Sequence, residues 1–505
     1  MQLSKNNIAA IANKPGLDVP DMKLFELPEK VLQFGTGVLL RALPDYFIDK
    51  ANKQGLFNGR IVVVKSTDSD SSAFDRQDGL YTVCVRGIEQ GKTVEENIIN
   101  ASISRVLGAK TDWQRILECA HNPEMKIILS NTTEVGIKLV QDDITANPPS
   151  SFPGKLLAFL FERFKAFNGS HESGMVIVPT ELITDNGSKL ESIVLELAHI
   201  NNLDFRFIEW LENSNTFCNS LVDRIVPGKP NAEEAARIEA ALGYSDELMT
   251  MSEVFRLWAI EGNEKVKEIL SFSKADDGVI IAPDITLFKE LKLRLLNGTH
   301  TFNCGTAFLS GFNITRDAVN DPVYGVFTKK LMHQEIAPSI PYTIEEKVKA
   351  DFANNTFERF TNPFIDHQWQ SITVQYTSKM KMRNVPLLLS HYELTSQVPM
   401  HMATGFAAFL LYMKVSRKEG SRYFGERNAA EYEIKDDSAE YFYNLWSQYN
   451  PAAVIATVLS NESLWETNLS NLPGFQQAVK EQLQEMMKHG VLQVVEQLES
   501  KKVTA

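Results

Sequence analysis

The chain has 505 residues, too many for one ordinary hydrophobic core, so two domains are expected. Its 44% hydrophobic and 23% charged residues are the composition of a water-soluble globular protein. A net charge of −13, with an isoelectric point near 5.3, excludes a general binder of nucleic acid or anionic membrane, because no broad positive field draws phosphates. A small anionic substrate needs only a local group of cations and stays open.

The opening stretch MQLSKNNIAAIANKPG has no sustained apolar run and no cleavage-site pattern. The most apolar stretch, residues 403–413, is about half of what a membrane-spanning helix needs. Cys84, Cys119, Cys218 and Cys304 lie far apart, suited to a reducing compartment and to neither a disulfide framework nor a zinc cluster. ESKKVTA, at 499–505, carries no lipidation or retrieval signal. The expectation is a cytoplasmic protein with no metal.

In chain order, short β-branched runs alternate with helical patterns. Strands are expected at KVLQFG (30–35), RIVVVKS (60–66), MKIILSN (125–131) and GMVIVPTEL (174–182). Helices are expected at DWQRILECA (112–120), KLLAFLFERFKAF (155–167) and SKLESIVLELAHI (188–200). Residues 81–99 read as an inserted hairpin turning at 89–91. This alternation predicts a parallel sheet with helices on both faces, an α/β domain over 1–285. From 286 to 505 the pattern becomes helical, as at 344–360, 403–415 and 475–500, so the second domain should be mostly α.

VLQFGTGVLLRA (31–42) runs a buried strand into Gly35-Thr36-Gly37 and then a helix. In a dinucleotide fold the first glycine allows the tight turn and the second lets the backbone approach a pyrophosphate. The third glycine of G-x-G-x-x-G is replaced by Leu40, and Pro44 should interrupt the helix. A plain strand-to-helix turn explains the glycines equally well in isolation. After the second strand, where a ribose would lie, both Lys65 and Asp68 occur; a basic residue favours NADP and an acidic one NAD.

KLRLLNGTHTF (292–302) sets Lys292, Asn297 and His300 into an otherwise apolar helix. On an α-helical projection they fall at roughly 0°, 140° and 80°, on one broad side. Each alone is most simply a snorkelling or satisfied core residue. Three hydrogen-bonding groups together near an apolar site call for a shared partner, and a ketone or secondary alcohol would be one. Hydride transfer to a ketone requires a proton at the developing alkoxide and donors to stabilise it. A desolvated lysine can supply that proton if its pKa falls from about 10.4 to near neutrality, about 4 kcal/mol of differential stabilisation.

The spacing Lys-x4-Asn-x2-His, as Lys292, Asn297 and His300, resembles the signature of the polyol-specific long-chain dehydrogenase/reductases, the mannitol dehydrogenase family. FGTGVLLRA (34–42), QDGLYTVCVRG (77–87), SNTTEVG (130–136), NSLVDRIVP (219–227) and RFTNPFIDH (359–367) extend the likeness over nearly the whole chain. Residues 120–137, 159–170 and 178–187 are similar to the hexuronate branch of that family. The resemblance implies a Rossmann-like NAD-binding domain followed by a helical substrate domain. It implies Lys292 as general acid/base, with Asn297 and His300 holding the reacting oxygen. Cofactor contacts are implied at Phe34, Gly35, Thr36, Gly37, Asp68 and Thr132; NAD is the expected cofactor, a preference that rests on Asp68 against Lys65. Glu181 stands where sugar-alcohol members carry a substrate-binding asparagine, with one residue's difference in spacing before DNG. Ser371 stands where they carry an arginine, and Lys379 matches their following lysine.

Lys379, Lys381 and Arg383 alternate with Met380 and Met382, so an extended segment would present one basic face. Lys381 is read as a solvated charge and Lys379 as a cation for a substrate carboxylate. The implied activity is reversible, NAD-dependent reduction of a small keturonate to its aldonate, and the likeness is compatible with a monomer. Within the family the rivals are the epimeric fructuronate and neutral mannitol-type substrates. From a different class, the rival is a non-catalytic nucleotide sensor.

Overall fold

The structure is a computed structural model that describes residues 1–11, 14, 16–67, 70–132 and 136–500. The chain divides into two compact units, Met1–Gly87 with Thr93–Ile285, and Ile88–Lys92 with Thr286–Ala505.

The first unit is built on a six-stranded sheet. Its order is Ile103–Gly108, Arg60–Lys65, Glu29–Phe34, Ile127–Ser130, Val176–Pro179, Thr216–Phe217, and every pairing is parallel. The β-branched runs are there because both faces are covered. Leu32, Phe34, Val62, Val64 and Ile128 point to one side, against Leu156, Leu157, Leu190 and Val194 of helices Phe152–Ala166 and Asn186–Ile200. Val31, Ile61, Val63, Ile127 and Leu129 point to the other, with Phe47 and Trp258. This is the two-residue period of a strand expressed as two cores.

Phe152–Ala166 starts where it does because Ser151 accepts a hydrogen bond from the Gly154 amide at 3.0 Å and Pro153 occupies the first turn. The hairpin forms from Tyr81–Glu89 and Lys92–Asn100, and its two central residues, Gln90 and Gly91, have φ of 52° and 74°. Two left-handed residues suit the right-handed twist of the flanking strands.

The second unit is mostly helical, apart from a three-stranded meander over Arg417–Glu419, Arg422–Arg427 and Ala430–Ile434 that periodicity did not foretell. Its centre is helix Met400–Tyr412, buried nearly all round, against Thr299–Leu309 and Phe475–His489. Gly405 permits the close approach: a Cβ there would lie 2.9 Å from the Phe302 carbonyl oxygen. Among the described residues no helix is long and apolar enough to cross a membrane. The periodic stretch 475–500 is two helices, Phe475–His489 and Val491–Ser500, because Gly490 at φ 86° ends the first. Three π-helical turns occur in this unit, at Lys292–Gly298, Leu331–Ile336 and Met380–Asn384.

A part-buried ionic clip joins the second π turn to helix Val491–Ser500. His401 sits between Glu335 (Nδ1 to Oε1, 2.7 Å) and Glu499 (Nε2 to Oε1, 3.0 Å), and Lys330 reaches Glu499 at 2.7 Å. Glu335 also accepts the backbone amides of His401 and Met402, satisfying orphan donors at the start of Met400–Tyr412. Burial opposes the charged imidazole, but the two carboxylates outweigh it and raise the His401 pKa from 6.5 to about 9. Because the folded value lies above the unfolded one, this stabilisation is complete below about pH 6.5 and is lost as pH rises through about 9. Glu499 is shifted the opposite way, held low by His401 and Lys330 against its own burial, so its share is lost towards acid pH. We therefore expect chemical denaturation to show about 2–3 kcal/mol more stability lost between pH 7 and 10 in the native protein than in His401→Gln. Parallel curves would remove His401 as the titrating group.

Candidate active site

At the carboxyl end of Glu29–Phe34 the chain turns through Gly35, whose φ of 126° is open to glycine alone. Its amide donates to the Val64 carbonyl at 3.0 Å, and a Cβ there would lie 2.9 Å from Leu40 Cδ1 and 3.1 Å from the Asn131 carbonyl oxygen. Gly37 is different: it has ordinary φ, is exposed, and caps Val38–Ala42 with nothing within 4 Å of an added Cβ. The first glycine is required by conformation, and the second leaves open space over the backbone. Leu40, in place of a third glycine, folds its side chain back onto Gly35 and is buried. The helix breaks at Leu43 (φ −133°, ψ −77°) and restarts as Pro44–Lys53 with proline in its first turn, the interruption Pro44 predicts.

The strand order reverses here. From Glu29–Phe34 the chain goes to Arg60–Lys65 on one side, and later to Ile127–Ser130 on the other. Open parallel sheets bind ligands at such a switch point, beyond the carboxyl ends of the strands. An uncovered glycine turn at that position fits a dinucleotide pyrophosphate. Arg41 braces the turn by donating to the Thr36 carbonyl at 3.4 Å and to the Leu248 carbonyl. The Phe34 side chain packs inward on Phe152, ring centroids 5.1 Å apart, so only its backbone borders the turn. Lys65 ends the neighbouring strand and is buried, whereas Asp68 lies outside the described residues.

Glu181 and Thr132 are brought together in the first unit. One Glu181 oxygen accepts from the Thr132 amide (2.8 Å) and hydroxyl (3.0 Å), and the other from the Ser130 hydroxyl (3.1 Å). The carboxyl thereby ties together the segments that follow two adjacent strands. Burial raises its pKa, and these donors offset part of the rise. Asn186, of the DNG sequence, is buried and donates to the carbonyls of Pro179, Glu181 and Ser220.

In the second unit, Lys292 to Gly298 form a π turn that passes into the α-helix Thr299–Leu309. The α-helical projection therefore needs correction. In a π turn hydrogen bonds span i to i+5, which brings Lys292 and Asn297 towards one face where an α-helix would splay them by roughly 140°. Arg294 holds this turn against the third one, donating from Nη1 to the carbonyls of Met382 (2.8 Å) and Arg383 (2.7 Å), while Asn384 donates to the Gly298 carbonyl at 3.3 Å. Lys292 and Asn297 are half-buried, and His300 is buried. The Asn297 side-chain amide makes no hydrogen bond to another described residue.

His300 lies against Phe360 (ring centroids 4.2 Å apart), with His367 at 5.1 Å and Trp369 at 5.8 Å, and its Nδ1 has no partner among the described residues. Burial, followed by the charges of His367, Arg359, Arg383 and Lys379, drives its pKa well below 6.5. It is a neutral imidazole at physiological pH, with one ring nitrogen uncommitted. Next to Asn297 it provides an uncharged pair able to hold a carbonyl or hydroxyl oxygen.

The segment expected to be extended is helical: Tyr376–Lys379 runs into the π turn Met380–Asn384. Alternation of polar and apolar residues over a few positions fits either conformation, and here the helix ends the supposed common basic face. Lys381 pairs with Glu466 at 2.8 Å, whereas the charges of Lys379 and Arg383 both bear on His300. Ser371 is exposed on the short helix Trp369–Ile372. Arg359, His367 and Arg383 belong to this basic group although no chemistry had been assigned to them; a four-residue spacing between Lys379 and Arg383, read as helix, was the available signal.

Residues 29–274 match the mannitol dehydrogenase Rossmann domain, and residues 284–487 match the mannitol dehydrogenase C-terminal domain. Altronate oxidoreductase of Bacillus subtilis (strain 168) is 36% identical over 478 residues, covering 94% of this chain and 95% of that protein. The altronate oxidoreductase of Escherichia coli O6:K15:H31 is 35% identical over 483 residues, covering 94% and 97%. Among solved structures, mannitol 2-dehydrogenase of Pseudomonas fluorescens, a ternary complex with NAD and D-mannitol, is similar with a TM-score of 0.69 at 22% identity over 99% of this chain and 100% of that one. A substrate-free D-sorbitol dehydrogenase is similar with a TM-score of 0.77 at 19% identity over 98% and 100%.

The glycine turn yields a test. Gly35→Ala should destabilise the protein by about 1–3 kcal/mol in urea unfolding, since the new residue combines a disfavoured φ with contact on Asn131. Gly37→Ala should cost well under that. Equal losses at the two positions would contradict the division of roles between them.

Proposed function

The chain belongs to the mannitol dehydrogenase family and is an oxidoreductase acting on CH–OH groups; on that footing we propose that it reversibly reduces D-tagaturonate to D-altronate with NADH. The named activity of its altronate oxidoreductase relatives supports the substrate, and the open glycine turn at the sheet's switch point supports a nicotinamide dinucleotide. The reading rests above all on one observation: on the helix that follows the Lys292 turn, His300 is buried against Phe360 with its Nδ1 unpartnered among the described residues.

A protein running ketone reduction near pH 7 requires a proton donor and groups that hold the oxygen. His300 is a poor proton store, because burial and four neighbouring basic side chains disfavour its protonated form. Lys292 is the remaining carrier on the same helix, one π turn before Asn297. A nicotinamide dinucleotide held at the Gly35–Gly37 turn would supply the hydride that the carbonyl carbon requires. As charge builds on the oxygen, the Asn297 amide and His300 imidazole hold it by hydrogen bonds, and the Lys292 ammonium delivers the proton. In the reverse direction the neutral amine of Lys292 takes the hydroxyl proton while the same two side chains keep the oxygen in place.

Glu181 serves this scheme from within the first unit, keeping the segment that carries Thr132 in one conformation. All four cysteines are free and buried, which agrees with work in the reducing cytoplasm.

Lys292→Ala should lower kcat by roughly 10²–10⁴-fold while leaving NADH affinity nearly intact, with partial recovery on adding small primary amines. Full turnover in that variant would refute the lysine's role. Rates of NADH oxidation with D-tagaturonate, D-fructuronate and D-fructose should rank tagaturonate first. Preference for fructose would move the enzyme to the neutral-polyol branch.

A further inference from the structure

We propose that Arg383, with Lys379 four residues before it, anchors the substrate carboxylate and so sets the preference for acid sugars over neutral ones; the proposal rests on the keturonate reading above. Four observations within the second unit carry it.

First, Arg383 is aimed. Its Nη1 donates to the Thr301 hydroxyl at 3.2 Å, and Thr301 is the residue next to His300. That hydroxyl is itself fixed, donating to the Asn297 carbonyl at 2.8 Å. The guanidinium is therefore tied to the helix that bears the oxygen-holding groups, and it spends one of its five N–H donors in doing so.

Second, neither cation has a direct ion pair among the described residues, and only the more distant Asp436 carboxylate acts on Lys379. Among the described residues no carboxylate lies within ion-pair distance of Lys379 or Arg383. Lys379 Nζ donates to the Ile372 carbonyl at 2.9 Å. Their neighbours behave differently: Lys381 pairs with Glu466 at 2.8 Å and Arg294 with Glu290 at 2.9 Å. In a chain of net charge −13, two half-buried cations with no ion pair among the described residues stand out.

Third, both are short of water. Burial lowers the pKa of Arg383, and burial followed by the Arg383 charge lowers that of Lys379. Two half-buried like charges in mutual repulsion are costly alone, and an anion arriving between them relieves the cost. A carboxylate matches the remaining fork of the guanidinium and the point charge of the ammonium.

Fourth, the chemistry of the site divides cleanly. The groups suited to the reacting oxygen, Asn297 and His300, are uncharged at neutral pH, and the two cations lie on the other segment. A six-carbon keturonate presents the same division, with its ketone near one end and its carboxylate at the other.

The test compares binding of D-altronate and its neutral counterpart D-altritol by calorimetry, with NADH present so that neither turns over. The native protein should prefer the aldonate, and Arg383→Gln should reduce that preference by roughly 100-fold. Arg383→Lys, which keeps the charge without the fork, should lose less, and Lys381→Gln should keep the native preference. Should Arg383→Gln fail to fold, Lys379→Gln should still weaken aldonate binding selectively. An undiminished preference in Arg383→Gln, or equal weakening of both ligands, overturns the anchor. A native protein that prefers aldonate but oxidises no NADH with D-tagaturonate leaves the anchor standing and defeats the catalytic reading.

Discussion

The π turn at Lys292–Gly298 is the constraint on which the candidate chemistry depends. A π turn trades regular α-helical bonding for a wider turn and persists only where surrounding contacts favour it. Here those contacts can be named. Arg294 occupies two carbonyls of the third π turn, Asn384 reaches back to Gly298, and Arg383 reaches Thr301. The two irregular segments hold each other in shape. What results is a register change: a lysine and an amide that an ordinary helix would turn further apart are brought towards one face, and the helix then returns to α geometry in time to bury His300.

Charge is handled locally. The protein as a whole is acidic, yet around His300 it gathers Arg359, His367, Lys379 and Arg383. A cluster of this kind acts over a short distance because water and salt screen it at the surface, while in the interior the lower dielectric lets it bear on protonation. The same cations that would attract an anion keep the imidazole uncharged, so recognition and acid–base assignment share one physical source.

Much of this was legible in the chain. Strands at 30–35, 60–66 and 125–131 carried β-branched runs that only a doubly covered sheet explains, and Pro44 marked a helix break to the residue. Lys292, Asn297 and His300 drew notice because they interrupted an apolar stretch. The wider turn was hidden, because helical projection presumes 3.6 residues per turn and nothing in the letters KLRLLNG announces otherwise. KMKMR misled for a related reason: alternation suggested a strand, while the tertiary partners that hold it as a π turn lie 80 to 90 residues earlier. Ion pairs were equally out of reach. That Lys381 meets Glu466 while Lys379 has no ion pair among the described residues depends on contacts that residue type cannot disclose.

The four free cysteines have a consequence for how the protein ages. Burial pushes the thiols of Cys84, Cys218 and Cys304 up to about 12 and that of Cys119 to about 11. The thiolate is the reactive form, and at neutral pH almost none exists in the folded protein. Oxidants and electrophiles therefore meet these sulfurs only when the surrounding core opens. Chemical damage to them proceeds at the pace of unfolding, and the history of those openings is written in which sulfur has been modified.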